Sequence, residues 1–238
     1  MKVWHLLGLL LLLTGTACKN KNNFVDPDRK RSFLHVVNGA DDSPTFDISI
    51  NYFNVNNLVI ADFFYNRNWP ISGYADLEEG GEADEFGHGK LWITALIDTN
   101  SSTIPDDTVM MPREIKLEAD QKSTLCFADS SGKLVIVKFE DEFTAPDDTF
   151  ALLRFINLKQ DVPAATLKSG DGVIQLQDIS SFAASTYMAV PRGNYSIEVN
   201  DGSTVLFTDP DVDILEGQVY TFYLSGRPGV HNLDYFIH

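Results

Sequence analysis

Carboxylate side chains are concentrated in one glycine-rich segment of the chain. It carries five acidic residues and ends with a histidine: Glu78, Glu79, Glu82, Asp84, Glu85 and His88. Hard cations such as calcium bind several oxygen ligands of this kind, which makes Glu82, Asp84 and Glu85 candidate calcium ligands. The ligand order of an EF-hand is absent, and a dense acidic loop is more often simply solvated. We therefore predict no metal or cofactor and keep calcium as the alternative.

Aromatic side chains form a second candidate binding surface. Phe63, Phe64 and Tyr65 are followed closely by Trp69. Because successive side chains of a strand point to opposite faces, one buried face cannot cover all of these rings. An exposed Tyr or Trp at a sheet edge can stack on a sugar ring or anchor a protein partner. We predict binding by Tyr65, Trp69 and the acidic segment, with burial of the rings as the alternative.

Catalytic motifs are absent from the sequence. There is no P-loop, no H-E-x-x-H and no G-x-S-x-G. The histidines are scattered without ligand spacing: His5, His35, His88, His231 and His238. His35 alternates with core positions, which predicts an exposed strand face for it. We predict a non-enzymatic protein without catalytic residues, although the paired carboxylates of a hydrolase would depend on three-dimensional geometry and stay an alternative.

Net charge excludes one class of partner. The 238 residues include 18 Lys and Arg against 34 Asp and Glu, a formal charge of −16. Such a field repels phosphate backbones, so we predict no nucleic-acid partner.

Short β-branched or aromatic segments recur along the chain, separated by Gly, Asn, Asp or Pro. They fall into two copies, since residues from 32 onward align with residues from 151 onward in three ordered blocks. The aligned pairs include Leu34/Leu153, Val36/Phe155, Asn38/Asn157, Tyr74/Tyr187, Leu117/Leu215 and Leu125/Phe222. This duplication predicts an all-β fold of two tandem immunoglobulin-like antiparallel β-sandwich domains, residues 32–145 and 146–238. Asp209 to Asp213, which contains Pro210, is predicted to be a turn.

The first copy is longer than the second. About ten extra residues lie near Gly81 to Lys90, and about five more lie in Asp98 to Pro112. Because binding residues concentrate on loops carried by a rigid scaffold, we predict that specific binding resides in these additions. Tolerance of long polar loops is the rival explanation.

In the second copy, Ser185 to Ile197 and Leu215 to Thr221 resemble segments of a domain-of-unknown-function family of bacterial secreted and lipid-anchored proteins. Ser185 to Ile197 is similar to the family's strand, Pro-x-Gly turn and following strand, and Leu215 to Thr221 resembles its last hairpin. Val36 to Asp47 is similar to the family's start. The resemblance implies tandem immunoglobulin-like folds and export, with no catalytic residues to transfer.

The amino terminus has the features of an export signal. Lys2 precedes the apolar run Leu6 to Leu13, and small residues lead to Cys18. The run is much shorter than the ~20 residues of a membrane-spanning helix. Gly15 to Cys18 resembles a lipoprotein processing site. This pattern predicts a signal peptide (1–17), lipidation of Cys18, a tether (18–31) and attachment to the bacterial outer membrane.

The remaining cysteine, Cys126, lies in an apolar strand-like run and is predicted to be buried and unreactive.

Together these features predict a non-enzymatic lipoprotein of the cell envelope, acting as a surface binding or adhesion module for a glycan or an envelope protein. A structural subunit of a surface assembly, an accessory glycan-binding lipoprotein and a carboxylate-dependent hydrolase are the alternatives.

Overall fold

A computed structural model describes residues 31–41, 46–51, 58–63, 68–69, 75–78, 90–97, 108–117, 120–130 and 133–238. All regular secondary structure in these residues is β-strand, which confirms the all-β prediction. None of the described segments forms a helix long and apolar enough to cross a membrane. The predicted signal peptide lies outside the described residues, and so does the predicted tether except for Arg31, which begins the first strand.

The described residues of the N-terminal half, residues 31–140, contain nine strands. They are β1 (Arg31–Asn38), β2 (Phe46–Asn51), β3 (Leu58–Phe63), β4 (Asn68–Trp69), β5 (Ala75–Glu78), β6 (Lys90–Ile97), β7 (Thr108–Lys116), β8 (Lys122–Ser130) and β9 (Lys133–Glu140). One sheet has the order β3-β2-β6-β7. The other has the order β4-β1-β8-β9, with β5 also pairing with β1.

Nine further strands make up the C-terminal half, residues 150–238. They are β10 (Phe150–Asn157), β11 (Ala164–Ser169), β12 (Gln175–Ser180), β13 (Ala183–Ala184), β14 (Met188–Pro191), β15 (Gly193–Asp201), β16 (Thr204–Ile214), β17 (Val219–Ser225) and β18 (Asn232–Ile237). The two sheets are β12-β11-β15-β16 and β13-β10-β17-β18, with β14 also pairing with β10. The strand order is therefore the same in both halves.

Among the described strands, pairing is antiparallel except at one place in each half. β1 runs parallel to β8, and β10 runs parallel to β17. A parallel pair needs a long crossover connection. Here the connection from β1 to β8 includes all strands of the other sheet of that half, and so does the connection from β10 to β17. The expectation of purely antiparallel sheets is wrong at these two pairs.

One hydrophobic core joins the two sheets of the C-terminal half. Leu153, Phe155 and Phe222 contribute to it from one sheet, and Leu167 and Ile197 contribute from the other. Along β15 the burial alternates over much of the strand, as a strand with one covered face requires. Two sheets around a single core form a β-sandwich.

The sheet β4-β1-β8-β9 of the N-terminal half also packs against the sheet β13-β10-β17-β18 of the C-terminal half. The contact uses the faces of these sheets that point away from the core of their own half. We call this contact the junction; its core is Val37, Cys126, Ala128 and Phe139 from the N-terminal half, with Ile156, Leu158, Tyr223 and Phe236 from the C-terminal half. All of β17 is therefore buried. The approach is so close at Gly39 that an added Cβ would lie 2.8 Å from Leu158 Cδ1.

Two local predictions for the C-terminal half are wrong. Asp209 to Asp213 lies within β16 rather than in a turn, at the edge of its sheet, where proline is tolerated. The pairing shifts its register between Tyr195 and Ile197, so Pro210 falls at an irregularity. Leu215 to Thr221 does not form a hairpin, because β16 and β17 belong to different sheets.

Candidate functional site

Most residues predicted from the sequence to bind lie outside the described residues. These are Tyr65, Glu79, Glu82, Asp84, Glu85 and His88, and the predicted lipidation residue Cys18 also lies outside the described residues. Trp69 lies in β4 opposite Val36, and Glu78 lies in β5 opposite Arg31. Within the described part of the chain, no group of three or more His, Cys, Asp or Glu side chains has the arrangement of a metal site. The role of the acidic segment stays a prediction.

The described residues instead place a charged cluster inside the junction, around Arg154. The Arg154 side chain is 2% exposed, and its guanidinium lies 2.5 Å from the Asp141 carboxylate. Arg154 Nε donates to Thr221 Oγ1 at 3.1 Å, and Nη1 donates to the Glu140 carbonyl at 3.3 Å. Charge-assisted contacts of this kind compensate for the loss of hydration of a buried cation.

Asp141 connects this cluster to the N-terminal half. It opens the junction loop, residues 141–149, which carries no strand between β9 and β10. Thr124 Oγ1 donates to Asp141 Oδ2 at 2.7 Å, and the Asp141 backbone N–H donates to the Lys122 carbonyl at 2.9 Å. Asp141 therefore accepts from Thr124 of one half while pairing with Arg154 of the other.

His35, predicted to be exposed, is fully buried. Its ring stacks on Phe236 with the centroids 4.1 Å apart. His35 lies opposite Thr124 in the parallel pair β1-β8, as Arg154 lies opposite Thr221 in β10-β17. The alternation was assigned correctly, but the outer face is covered because the second half packs on it.

A second set of side chains surrounds His238. Its Nε2 lies 2.7 Å from Thr221 Oγ1 and 3.2 Å from the Tyr187 hydroxyl. Burial lowers the pKa of His238 to about 2, and the positive charges of Arg154 and nearby groups add to this effect. Burial also raises the pKa of the Tyr187 hydroxyl, with Arg154 opposing the change. Both groups are therefore neutral at physiological pH.

A cleft opens from the edge of the junction to the surface. It has a volume of about 330 Å³ and is lined by side chains that include Phe139, Glu140, Glu142, Arg154, Thr186 and Tyr187. The Arg154 guanidinium lies over the Tyr187 ring, 4.8 Å from its centroid. Phe143 packs edge-on against the same ring at 5.1 Å. The cleft is thus lined by both aromatic rings and charged groups.

Cys126 lies in the junction and is fully buried as a free thiol, which confirms the prediction of burial. Burial raises the pKa of this thiol, while the charge of Arg154 partly opposes the rise. A thiol held in its protonated form is a weak nucleophile, so Cys126 acts as a small core side chain.

Sequence reasoning missed Arg154, Asp141 and His238 as a group. Arg154 lies in β10, Asp141 lies in the junction loop, and His238 follows β18. They are far apart in the sequence, so no local spacing connects them. A usable signal was the sequence of β17, Val219–Ser225, which is apolar or aromatic at positions of both faces. Strands covered on both faces have such runs.

The paired sheets, the shared core and the buried junction define an all-β protein of sandwich architecture. The sequence model of the family described as Domain of unknown function (DUF4397) matches residues 32–168. Since this match covers more than half of the chain, the protein belongs to that family. The resemblance to a bacterial family of unknown function is thereby confirmed.

A comparison with curated proteins finds no match. Among solved structures, the chain is similar to the C-terminal domain of AlgF from P. aeruginosa, with 22% identity, a TM-score of 0.33, and coverage of 38% of this chain and 99% of that one. It is also similar to a candidate cell adhesion protein from Bacteroides uniformis, with 9% identity, a TM-score of 0.27 and coverage of 87% and 97%.

Proposed function

We propose that this protein is a non-enzymatic lipoprotein of the bacterial cell envelope that serves as a surface binding or adhesion module. In this proposal its two halves are immunoglobulin-like copies of one module. Equivalent strands support the duplication, since Val36 pairs with Leu125 in one half and Phe155 pairs with Phe222 in the other, as the sequence alignment predicts.

The observation that carries the proposal is that a buried ion pair and an apolar core both connect the two halves at the junction. Arg154 of the C-terminal half pairs with Asp141, which accepts a hydrogen bond from Thr124 of the N-terminal half. These contacts connect the two halves, in addition to the apolar core of the junction. Hydrophobic contact between modules limits their relative motion, so the two halves present their loops in a fixed arrangement. A fixed display of loops is the form of a binding scaffold.

A hydrolase with a threonine nucleophile, distinct from the carboxylate-dependent hydrolase considered from the sequence, is the competing function, and one contact favours it. Thr221 Oγ1 lies 2.7 Å from His238 Nε2, the spacing of a nucleophile and its general base. However, Thr221 is fully buried in β17, and a nucleophile must reach its substrate. Its hydroxyl also accepts from Arg154 Nε. These contacts support a structural role for the pair.

Membrane attachment is tested by metabolic labelling with a fatty-acid analogue in a bacterium that processes lipoproteins. The wild-type protein should be labelled and should fractionate with membranes, whereas Cys18→Ser should do neither. Equal labelling of the two proteins, or wild-type protein free of membranes, would show that the anchor assignment is wrong.

Binding is tested with the full-length protein, extracted in mild detergent and immobilised on beads. Solubilised envelopes are passed over it, and an unrelated lipoprotein on beads is the control. We expect specific, saturable retention of one envelope component. Turnover of ester or glycoside substrates that is lost in Thr221→Val would instead support the hydrolase.

A further inference from the structure

The cleft at the edge of the junction has the size and the chemistry of a small ligand site. Its volume of about 330 Å³ lies at the lower end of the range for ligand pockets. It also lies between two packed modules, a position that ligand sites favour. Its lining combines residues of β9 and the junction loop with residues 184–187 of the C-terminal half.

Arg154 has a hydrogen-bond donor to spare at this cleft. Its guanidinium carries five N–H groups. Among the described residues, Nε donates to Thr221, one N–H of Nη1 donates to the Glu140 carbonyl, and Nη2 meets Thr124 and Asp141. The second N–H of Nη1 has no partner in this set, although the side chain is almost fully buried and lines the cleft. A buried donor of this kind favours an oxygen acceptor supplied by a ligand.

The charges of the cleft select against ions of either sign. Glu140 and Glu142 are exposed along one wall, and their carboxylates would repel phosphate, sulfate or carboxylate groups. Arg154 is already paired with Asp141 and covers one face of the Tyr187 ring, so neither its charge nor that face of the ring is available to an ionic ligand. A neutral ligand with both donors and acceptors fits these charges best.

The remaining walls favour a ligand with an apolar face. Phe139 and Tyr187 contribute aromatic surface, and Ala184 adds an aliphatic contact. A sugar ring combines a C–H face, which packs on an aromatic ring, with hydroxyl groups at its edge. Those hydroxyls can donate to the Glu142 carboxylate and accept from Arg154 Nη1.

We propose that the junction cleft binds one or two rings of a neutral saccharide, with Tyr187 as the packing surface and Arg154 and Glu142 as hydrogen-bonding partners. This inference deepens the proposed binding function and rests on it. It adds a site formed by both halves to the loops predicted from the sequence.

The test uses full-length protein in detergent on an array of neutral, sialylated and sulfated oligosaccharides, followed by calorimetry with the best neutral glycan. We expect binding to neutral glycans, weakened at least about tenfold by Glu142→Gln and by Tyr187→Leu. The matched controls are Asp148→Asn, an exposed carboxylate of the same loop, and Tyr235→Leu, an exposed tyrosine on β18. Both should bind as the wild type does.

Tyr187 packs against Arg154 and Phe143, so weaker binding by Tyr187→Leu is evidence for the site only if this variant keeps the wild-type unfolding midpoint. Glu142 is exposed, so Glu142→Gln tests the site independently of folding. Neutral glycan binding that is unchanged in Glu142→Gln and in a folded Tyr187→Leu would overturn the site. Binding of charged glycans alone would overturn the ligand class. No glycan binding together with retention of an envelope protein would overturn this inference and leave the proposed function standing, whereas absence of both would overturn the two together.

Discussion

The Arg154 guanidinium and the Asp141 carboxylate form a 2.5 Å ion pair between two side chains that are 2% and 0% exposed. Asp141 accepts a hydrogen bond from Thr124 of the N-terminal half, and Arg154 belongs to β10 of the C-terminal half. The pair is therefore a polar contact that fixes the position of one half relative to the other.

Replacing Arg154 by methionine should be strongly destabilising. The change removes one member of a buried pair and leaves Asp141 charged without its cation, which costs about 3–5 kcal/mol. The double variant Arg154→Met/Asp141→Asn should recover part of this loss, because no uncompensated charge remains. Urea unfolding of the wild type, both single variants and the double variant measures the coupling.

Arg192→Met is the matched control in the same half. Arg192 pairs with Glu216 at 3.0 Å, but its side chain is 63% exposed, and such surface pairs contribute about 0–1 kcal/mol. If Arg154→Met costs no more than Arg192→Met, the buried pair does not stabilise the junction.

Stability should depend on pH through His238. In the folded protein its pKa is lowered to about 2 by burial, and by the charges of Arg154, His35 and Lys122, from an ordinary value of 6.5. Phe143, Tyr187 and Phe236 also pack around the ring, while Asp141 lies beyond Arg154. Protonation therefore stabilises the unfolded chain. The contribution of neutral His238 is present above pH 6.5 and is lost as the pH falls.

The expected loss is about 1.4 kcal/mol per pH unit below 6.5, or roughly 2 kcal/mol at pH 5. His238→Gln keeps a polar group near Thr221 and does not titrate, so its unfolding free energy should fall less between pH 7 and pH 5. Circular dichroism at both pH values measures the difference. An identical fall in the variant and the wild type would exclude His238 as the origin of the acid sensitivity.

The repeated framework was predictable because strand alternation and turn residues are local signals. The alignment of Val36 with Phe155 and of Leu125 with Phe222 agrees with the strand pairing, since Val36 pairs with Leu125 while Phe155 pairs with Phe222. The turn between β14 and β15 also falls at the predicted Pro-x-Gly motif.

The environment of the outer faces was not predictable in the same way. Alternation shows which side chains share a face, as His35 and Val37 do, but it does not show what covers that face. The junction brings His35 close to Phe236, which is remote in sequence. The cleft follows from this packing and has no local motif for the same reason.

Cys126 should be protected from thiol reagents in the native protein. It is fully buried in the junction, and burial raises the pKa of its thiol. In a Cys18→Ser background, native labelling should be slower by at least about 100-fold than labelling in urea, because reaction requires opening of the core. Fast labelling of the native protein would show that the junction opens.

Lys159 should stabilise the loop between β17 and β18. It is buried, and its Nζ donates to the carbonyls of Gly226, Arg227 and Val230 at 2.8–3.0 Å while pairing with Asp161 at 3.1 Å. Lys159→Met would leave these acceptors without their donor, at a cost of about 1–3 kcal/mol.

Hydrogen exchange should localise this effect. The Val230 amide, which donates to the Arg227 carbonyl, should exchange faster in Lys159→Met than in the wild type. Lys168→Met is the control, since Lys168 forms a more exposed pair with Glu198. Wild-type protection of Val230 in Lys159→Met would contradict the role assigned to Lys159.

Deleting residues 81–89 tests the prediction that specific binding resides in the additions to the N-terminal half. β5 ends at Glu78 and β6 begins at Lys90, whereas the equivalent strands β14 and β15 are joined through Arg192 alone. The framework therefore tolerates a short connection, and loop closure changes by only ~0.6 kcal/mol per halving of length. The unfolding midpoint should stay within about 4 °C of the wild type.

Retention of the envelope component should be lost, because the deletion removes Glu82, Asp84, Glu85 and His88. Retention with unchanged affinity would show that the acidic segment is not the binding site, and the segment from Phe63 to Trp69 would then be the next to substitute.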